Sequence, residues 1–187
     1  MPTLSEIAVE ASTCTRCRLA DNRTNVVFGM GNPQADLMFV GEGPGAEEDR
    51  QGLPFVGRSG QLLDRLMRQE IGLTREHCYV ANVIRCRPPG NRDPLPDEIE
   101  ACSPYLEAQL ELVAPRVVVT LGNFATRRFL HTSEGISRLR GRSYPFRGGH
   151  LVPTYHPAAA LRGSGEIVAE MRADFVRAKR LLAGAVP

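Results

Sequence analysis

Five cysteines are the residues of this chain that most clearly could do chemistry, and they lie at positions 14, 17, 78, 86 and 102. Cys14 and Cys17 form a C-x2-C pair, a spacing with which both zinc sites and iron–sulfur clusters take two ligands. Cys86 and Cys102 supply two further thiols, at the end of a predicted strand and near the start of a predicted helix. These four thiols can converge if the N-terminal segment packs beside the loop that follows Cys86. Cys78 lies inside a predicted strand, where we expect a buried free thiol.

The spacing of the four cysteines leaves three interpretations open. They are unrelated buried thiols, a structural zinc site with four cysteine ligands, or an iron–sulfur cluster. Structural zinc sites usually use two closely spaced ligand pairs, so the long separation of Cys17 from Cys86 favours a cluster. A disulfide framework is not expected, because the cysteine number is odd and the N-terminus has no apolar signal core.

A second group of polar residues follows the predicted strands. Glu42 lies in the segment Gly41-Glu-Gly-Pro-Gly45, Asn82 lies in the second strand, and His156 follows the fourth. Ligands of parallel α/β sheets bind beyond the carboxyl ends of the strands, so we expect these side chains to meet. A carboxylate at such a position can activate water or stabilise developing positive charge.

The glycines beside Glu42 let backbone N–H groups approach a ligand closely. The segment is neither a dinucleotide fingerprint nor a phosphate-binding loop, because Gly-Lys-Ser/Thr is missing. Phe55 lies in another glycine-flanked segment, 52–57. A loop aromatic can stack on a nucleic-acid base, although it can equally belong to the core.

The elements that must position these residues alternate along the chain. We predict strands over 37–41, 78–84, 116–121 and 150–154, and helices over 5–11, 60–70, 97–113, 123–130 and 166–182. This alternation indicates an α/β fold: one three-layer α/β/α domain, over residues 1–187, with a central, mostly parallel four-stranded sheet. Pro153 suggests that the fourth strand lies at an edge.

Composition narrows the class of protein. The 187 residues are 42% hydrophobic and 24% charged, which excludes wholesale disorder. No run of 18 apolar residues occurs, so we expect a soluble, cytoplasmic protein without a membrane partner. The net charge is only +2, but seven arginines between Arg116 and Arg147 face a single acid, Glu134. They form either a DNA-binding face or an ordinary solvated one.

Taken in order, the motifs resemble the family 4 uracil-DNA glycosylases, the iron–sulfur members of the uracil-DNA glycosylase superfamily. The resemblance runs from about residue 7 to residue 180 and rests on Cys14-x2-Cys17, Gly41-Glu-Gly-Pro-Gly45, Pro54-Phe-Val-Gly57, Asn82 with Cys86-Arg-Pro-Pro89, Cys102 and His156-Pro157. It implies an enzyme of base excision repair. Such an enzyme flips uracil out of DNA and hydrolyses its N-glycosidic bond, which releases free uracil and leaves an abasic site.

The resemblance also implies roles for individual residues. A [4Fe-4S] cluster of structural function takes Cys14, Cys17, Cys86 and Cys102, and Cys78 matches no ligand. The uracil pocket takes Gly41, Glu42, Gly43, Phe55, Asn82 and His156, with Glu48 beside the C5 position of the base. His156 stabilises the departing uracil anion, and Glu42 positions water or opposes the positive sugar. Many superfamily members have Asp or Asn where this chain has Gly43, so the water-handling role of Glu42 is less defined.

The implied partner is uracil-containing DNA, single- or double-stranded, bound by a monomer. Arg85 and Arg87 are expected to contact phosphates, and Leu161 or Arg162 to fill the stack that the flipped base vacates. One alternative of another class stays open, a non-catalytic iron–sulfur or zinc protein that binds DNA or senses redox state.

Overall fold

A six-stranded sheet lies at the centre of the computed structural model, which describes residues 2–184. Its strands are β1 (Met30–Gly31), β2 (Leu37–Gly41), β3 (Cys78–Asn82), β4 (Val117–Leu121), β5 (Tyr144–Phe146) and β6 (Gly149–Thr154). Their order across the sheet is β1-β3-β2-β4-β6-β5. The inner four strands are parallel, and the two edge strands pair antiparallel. The predicted, mostly parallel sheet is therefore confirmed, with two edge strands in addition.

The inner strands and the edge strands differ in how clearly their residue patterns predict a strand. Every residue of β2, β3 and β4 is buried, as expected for parallel strands covered on both faces, which are continuous apolar runs. The edge strands have two and three residues and are partly exposed. Segments so short show neither an apolar run nor an alternation, which is why the sequence did not reveal them.

Strand β6 is not an edge strand, so that prediction from Pro153 is wrong. It lies between β4 and β5. Strand β5 pairs only with Gly149–Leu151 of β6. The ladder on that side thus ends before Pro153, where the missing N–H leaves no partner unsatisfied.

Within residues 2–184, eight α-helices cover the sheet. They are α1 (Leu4–Ser12), α2 (Ala46–Gln51), α3 (Arg58–Leu66), α4 (Pro96–Val113), α5 (Asn123–Leu130), α6 (Ile136–Leu139), α7 (Pro157–Arg162) and α8 (Gly165–Leu182). The predicted helix over 60–70 begins two residues earlier, and its last part, Met67–Ile71, is a π-helical turn. Shorter 3-10 turns lie at Arg18–Asp21, Arg75–His77 and Pro89–Asn91. The short helices α2, α6 and α7 were not predicted.

Successive side chains along a strand point to opposite faces of the sheet, and each face has its own hydrophobic core. Phe39 of β2 packs with residues of α3 and α8, including Leu63 and Phe175. Met38 of the same strand packs with residues of α4 and α5 on the other face. The predicted three layers are therefore present. Cys78 is fully buried in the first core, as predicted, and burial raises the pKa of its thiol to about 12.

Helix α1 is attached by a smaller cluster in which Ile7 and Ala11 pack against Tyr105 of α4. This packing brings the N-terminal cysteine pair beside α4. Among residues 2–184, no helix has both the length and the hydropathy that a membrane-spanning segment needs.

Candidate active site

The carboxyl ends of the inner strands surround a cavity of about 530 Å³. That volume lies within the range common for small-molecule sites. Six residues that the sequence assigned to the pocket line it: Glu42, Gly43, Glu48, Phe55, Asn82 and His156. The parallel sheet therefore brings together side chains that are up to 114 positions apart, from 42 to 156.

Gly41, the seventh predicted residue, packs behind the lining. A Cβ atom at this position would lie 2.5 Å from Phe55 Cζ and 2.6 Å from Asn82 Oδ1. Position 41 must therefore lack a side chain for both groups to reach their places. At Gly43 a Cβ atom would lie 2.6 Å from Ile84 Cγ1. Ile84 thus explains why an Asp or Asn does not fit at residue 43 without rearrangement.

Asn82, the last residue of β3, carries an unpartnered polar atom. Its side chain is 2% exposed, and its Oδ1 atom accepts no hydrogen bond from the described part of the chain. Leaving a buried acceptor unsatisfied costs about 1–3 kcal/mol. Because Asn82 lines the cavity, a ligand with an N–H group can recover that free energy.

His156 is held in one protonation state by its position at the start of α7. Its Nδ1 atom accepts a hydrogen bond from Ala158 N at 3.1 Å, so the proton of the neutral ring is on Nε2. Burial lowers the pKa of His156 to about 4; the charge of Arg162 acts in the same direction, and that of Glu48 opposes it. At neutral pH the ring is an uncharged N–H donor.

The Phe55 ring stacks against the His156 ring, with 5.9 Å between centroids and 29° between planes. Phe55 has a left-handed backbone with a φ of +52°. For a residue with a Cβ atom this conformation costs roughly 1–2 kcal/mol. The surrounding structure must therefore hold Phe55 in place.

Glu48 supplies part of that restraint. One of its carboxylate oxygens accepts hydrogen bonds from Val56 N at 3.1 Å and Gly57 N at 3.0 Å, and the other accepts one from Gly45 N at 3.1 Å. The side chain lines the cavity as predicted, but both oxygens hold backbone. Glu48 therefore joins the glycine-rich loop to the Phe55 loop.

Glu42 is partly buried at the end of β2, and its environment raises its pKa to about 7. Burial is the largest cause, the charge of Asp93 adds to it, and that of Arg162 opposes it. Sequence reasoning missed Asp93, which lines the same cavity from the proline-rich loop. No feature of its spacing indicated this electrostatic effect on Glu42.

The prediction that Arg85 contacts DNA phosphates is wrong. Its side chain is 1% exposed, and its guanidinium donates to Asn82 O at 2.7 Å, Val83 O at 3.1 Å and Gln109 Oε1. The side chain turns inward toward α4 because these carbonyl acceptors surround it there. Arg87, Leu161 and Arg162 do reach the surface, so their roles at DNA stay predictions.

The arginine-rich stretch is less basic than its sequence indicates. Four of its seven arginines form ion pairs with acids from other parts of the chain: Arg116 with Asp36, Arg128 and Arg147 with Glu107, and Arg140 with Asp174. Within residues 2–184 no ion pair involves Arg127, Arg138 or Arg142. Part of the positive charge of this stretch is therefore balanced by acids that are distant in the sequence.

A second cavity lies beside α1 and α4, and the four predicted cysteines line it together: Cys14, Cys17, Cys86 and Cys102. Its volume is about 20 Å³, so it is far smaller than the cavity at the strand ends. Arg23, which the sequence did not single out, donates to Cys14 O at 2.6 Å and lies 3.7 Å from Cys86 Sγ. The thiols thus share one cavity, although within residues 2–184 no three ligating side chains already form a metal site.

The chemistry of the lining residues tests whether this cavity suits a thiolate-bound metal group. Thiols are the ligands of both iron–sulfur clusters and structural zinc. Arg85 also lines the cavity, and its buried Nε atom has no hydrogen-bond partner in the described chain. A buried cation with a free N–H group matches an anionic, sulfur-rich centre, so the residues fit.

Comparison with known proteins agrees with this geometry. The family model described as the uracil DNA glycosylase superfamily matches residues 28–182. A type-4 uracil-DNA glycosylase of Thermotoga maritima is 45% identical over 96% of this chain and 95% of its own length. One of Sulfurisphaera tokodaii is 45% identical over 86% of this chain and 77% of its own.

A type-5 uracil-DNA glycosylase of Thermus thermophilus is less similar, with 32% identity over 84% of this chain and 80% of its own length. The chain belongs to the uracil DNA glycosylase superfamily and, within it, to the type-4 uracil-DNA glycosylases.

Proposed function

We propose that this protein flips uracil out of DNA and hydrolyses its N-glycosidic bond, which leaves an abasic site for base excision repair. The observation that carries the proposal is the buried, unpartnered Oδ1 atom of Asn82 in a cavity shared with an aromatic ring and a neutral histidine. A site for a flipped pyrimidine needs a group that hydrogen-bonds to the edge of the base, a ring that stacks on its face and a donor for its carbonyl oxygen. Asn82, Phe55 and His156 can supply these in turn.

Asn82 accounts for the choice of base. Its Oδ1 atom accepts the N3–H of uracil, and its amide N–H2 donates to O4. Cytosine has an acceptor at N3 and an amino donor at C4, so both pairs would be mismatched. Each buried mismatch costs roughly 1–3 kcal/mol. Phe55 stacks on the face of the base, a contact that any flat base can make.

His156 acts on the leaving group. As the bond between C1′ of the sugar and N1 of uracil breaks, the electron pair passes to the base, and negative charge develops on O2. The neutral ring donates its Nε2–H to O2 and stabilises that charge. Removal of one such donor typically costs about 2.7–4 kcal/mol of transition-state free energy.

Glu42 acts on the sugar side. The sugar becomes positively charged as the base leaves, and an ionised carboxylate stabilises that charge. A water molecule then bonds to C1′ and gives up a proton, which the carboxylate can accept. Both roles require the ionised form, which is present above its pKa of about 7.

The proposed cofactor is a [4Fe-4S] cluster held by Cys14, Cys17, Cys86 and Cys102. When bound, it supplies structural cross-links between the N-terminal segment, the loop after β3 and α4. The shared cavity and the buried Arg85 support this assignment. A four-cysteine zinc site would satisfy the same residues, and the colour and metal content of the protein distinguish the two.

We propose that the protein acts on DNA as a cytoplasmic monomer, folded as one domain. Flipping a base costs a few kcal/mol, and least in single strands or mismatches. Arg87 and Arg162 lie at the surface where phosphates can reach them, and Leu161 is 40% exposed on α7, beyond His156. An exposed leucine at this place can fill the vacated stack.

The test is a glycosylase assay on single-stranded and G·U-containing DNA, with metal analysis of the same sample. We expect free uracil, an alkali-labile site in the DNA, a brown protein, and iron with acid-labile sulfide. DNA that acquires no alkali-labile site and releases no uracil after prolonged incubation with metal-loaded protein would contradict the enzymatic proposal. A colourless, active protein with stoichiometric zinc would contradict only the cofactor assignment.

A further inference from the structure

Arg75 forms hydrogen bonds with the backbone of the loop that carries Phe55. It lies in the 3-10 turn Arg75–His77 that precedes β3, outside every motif that the sequence analysis singled out. Its guanidinium donates to Pro54 O at 2.6 Å and to Phe55 O. Its Nε atom donates to Asp64 Oδ1 of α3 at 2.6 Å. The side chain is only 17% exposed.

The loop around Phe55 is held from two sides by opposite charges. Arg75 takes the carbonyl oxygens of residues 54 and 55, whereas Glu48 takes the N–H groups of residues 56 and 57. Each charge thus meets the end of the peptide dipole that it attracts. These two sets of hydrogen bonds lie on either side of Phe55, whose backbone is left-handed.

The Phe55 carbonyl also has no space on its helix side. It packs against Gly60 of α3, where even a Cβ atom would collide with it. The carbonyl is therefore confined between α3 and the guanidinium. Because the backbone cannot turn, the Phe55 ring keeps its plane beside His156 and Gly41.

We propose that Arg75 is a positioning residue for base binding, which sets the plane of the Phe55 ring on which the flipped base stacks. Asp64 orients the guanidinium of Arg75. This planar group donates to two carbonyl oxygens at once, a geometry that a lysine ammonium cannot match. This inference rests on the proposed function, since it assigns Arg75 to the uracil site through Phe55.

The experiment compares Arg75→Met with Arg172→Met. Arg172 is a matched control, because it forms an ion pair with Glu70 and a hydrogen bond with Gln69 and, within residues 2–184, has no hydrogen bond to the Phe55 loop. We measure kcat and KM on a uracil-containing single strand, and inhibition by free uracil. Arg75→Met should raise KM and the uracil inhibition constant about tenfold, with a smaller change in kcat, because stacking is lost in ground and transition states alike.

A double-mutant cycle with Phe55→Leu separates positioning from a general loss of stability. In the Phe55→Leu background, Arg75→Met should change KM by less than about twofold, because no ring remains to be positioned. An unchanged KM in Arg75→Met would overturn the inference. So would the same tenfold rise with or without the Phe55 ring.

Asp64→Asn provides a second route if Arg75→Met does not fold. Its carboxylate is 38% exposed, so the fold should tolerate the change. A rise in KM of about threefold, absent in Phe55→Leu protein, supports the inference; an unchanged KM overturns it. A wild-type protein that releases no uracil overturns the proposed function and this inference together. An active wild type with an unaffected Arg75→Met overturns the inference alone.

Discussion

The base cavity and the cysteine cavity adjoin the same stretch of chain but are held in different ways. Strand β3 ends at Asn82 in the first cavity, and Cys86 lies in the second four residues later. In the base cavity, hydrogen bonds from backbone N–H groups already fix two of the lining side chains, Glu48 and His156. The thiols of the cysteine cavity come from three separate segments, with Arg23 as a bridge between two of them.

This difference follows from how long each ligand would stay. A base that enters and leaves in every turnover gains most from a site that is rigid before it arrives. A resident metal group can itself cross-link the segments that bind it, so its ligands need fewer other restraints. Arg85 connects the two regions, because it donates to Asn82 O and lines the cysteine cavity.

The largest expected effect is at the preorganised site. We expect His156→Ala to lower kcat by about 10²- to 10³-fold, because no other donor replaces its Nε2–H at O2. Single-turnover uracil release measures this loss. The variant should keep the melting temperature within a few degrees, since within residues 2–184 the ring makes one hydrogen bond, to Ala158 N, besides its stacking on Phe55. A fully active His156→Ala protein would remove the leaving-group role.

The second prediction addresses the cysteine cavity. If the proposed cluster is bound, Cys102→Ser should lose iron and lower the melting temperature by about 10 °C, because the cross-link that the cluster would make between α4 and the N-terminal segment is lost. Cys78→Ser is the matched control and should keep its iron, since Cys78 is buried on the other side of the sheet. Iron analysis and thermal unfolding check both. Equal iron in the two variants would exclude Cys102 from the set of metal ligands.

The third prediction concerns pH. With the pKa of Glu42 at about 7, kcat/KM should rise roughly tenfold from pH 6 to pH 8 as the carboxylate ionises. His156, with its pKa lowered to about 4, stays neutral throughout this range. Glu42→Gln should show lower activity and no such rise. A sloping profile that survives in Glu42→Gln would assign the titration to another group.

The same raised pKa has a consequence for stability. The folded protein binds the Glu42 proton more tightly than the unfolded chain, so the stabilisation is complete below about pH 4.5 and is lost as pH rises through about 7. Glu42→Gln lacks this loss. Urea unfolding of both proteins at pH 5 and pH 8 should therefore show a larger decline for the wild type.

The smallest expected effect lies at the DNA surface. Arg87→Ala should weaken DNA binding a fewfold and reduce the slope of log K against log salt by about 0.7–0.9, which is the loss of one phosphate contact. Arg180→Ala, on the exposed face of α8, is the control and should leave the slope unchanged. Fluorescence anisotropy at several salt concentrations measures both. Equal slopes in wild type and Arg87→Ala would remove Arg87 from the interface.

Much of the sheet and of the site was predictable from the sequence. The apolar runs of β2, β3 and β4 are buried along their whole length, which is the situation in which such runs are most reliable. Glu42, Asn82 and His156 could be placed together because parallel strands end at one edge. The short edge strands and Asp93 could not be predicted, because neither has a local signature.

By itself, the sequence determined the parallel core of the sheet, the polar residues at its carboxyl edge and the division of five cysteines into four plus one. Only the tertiary structure decided the roles of the long polar side chains. Arg85 is buried against Gln109 rather than exposed to DNA, Glu48 holds two loops, and Arg75 holds Phe55. The physical reason is that burial of a strand follows from its own residues, whereas the partners of a long charged side chain come from distant segments that only folding brings near.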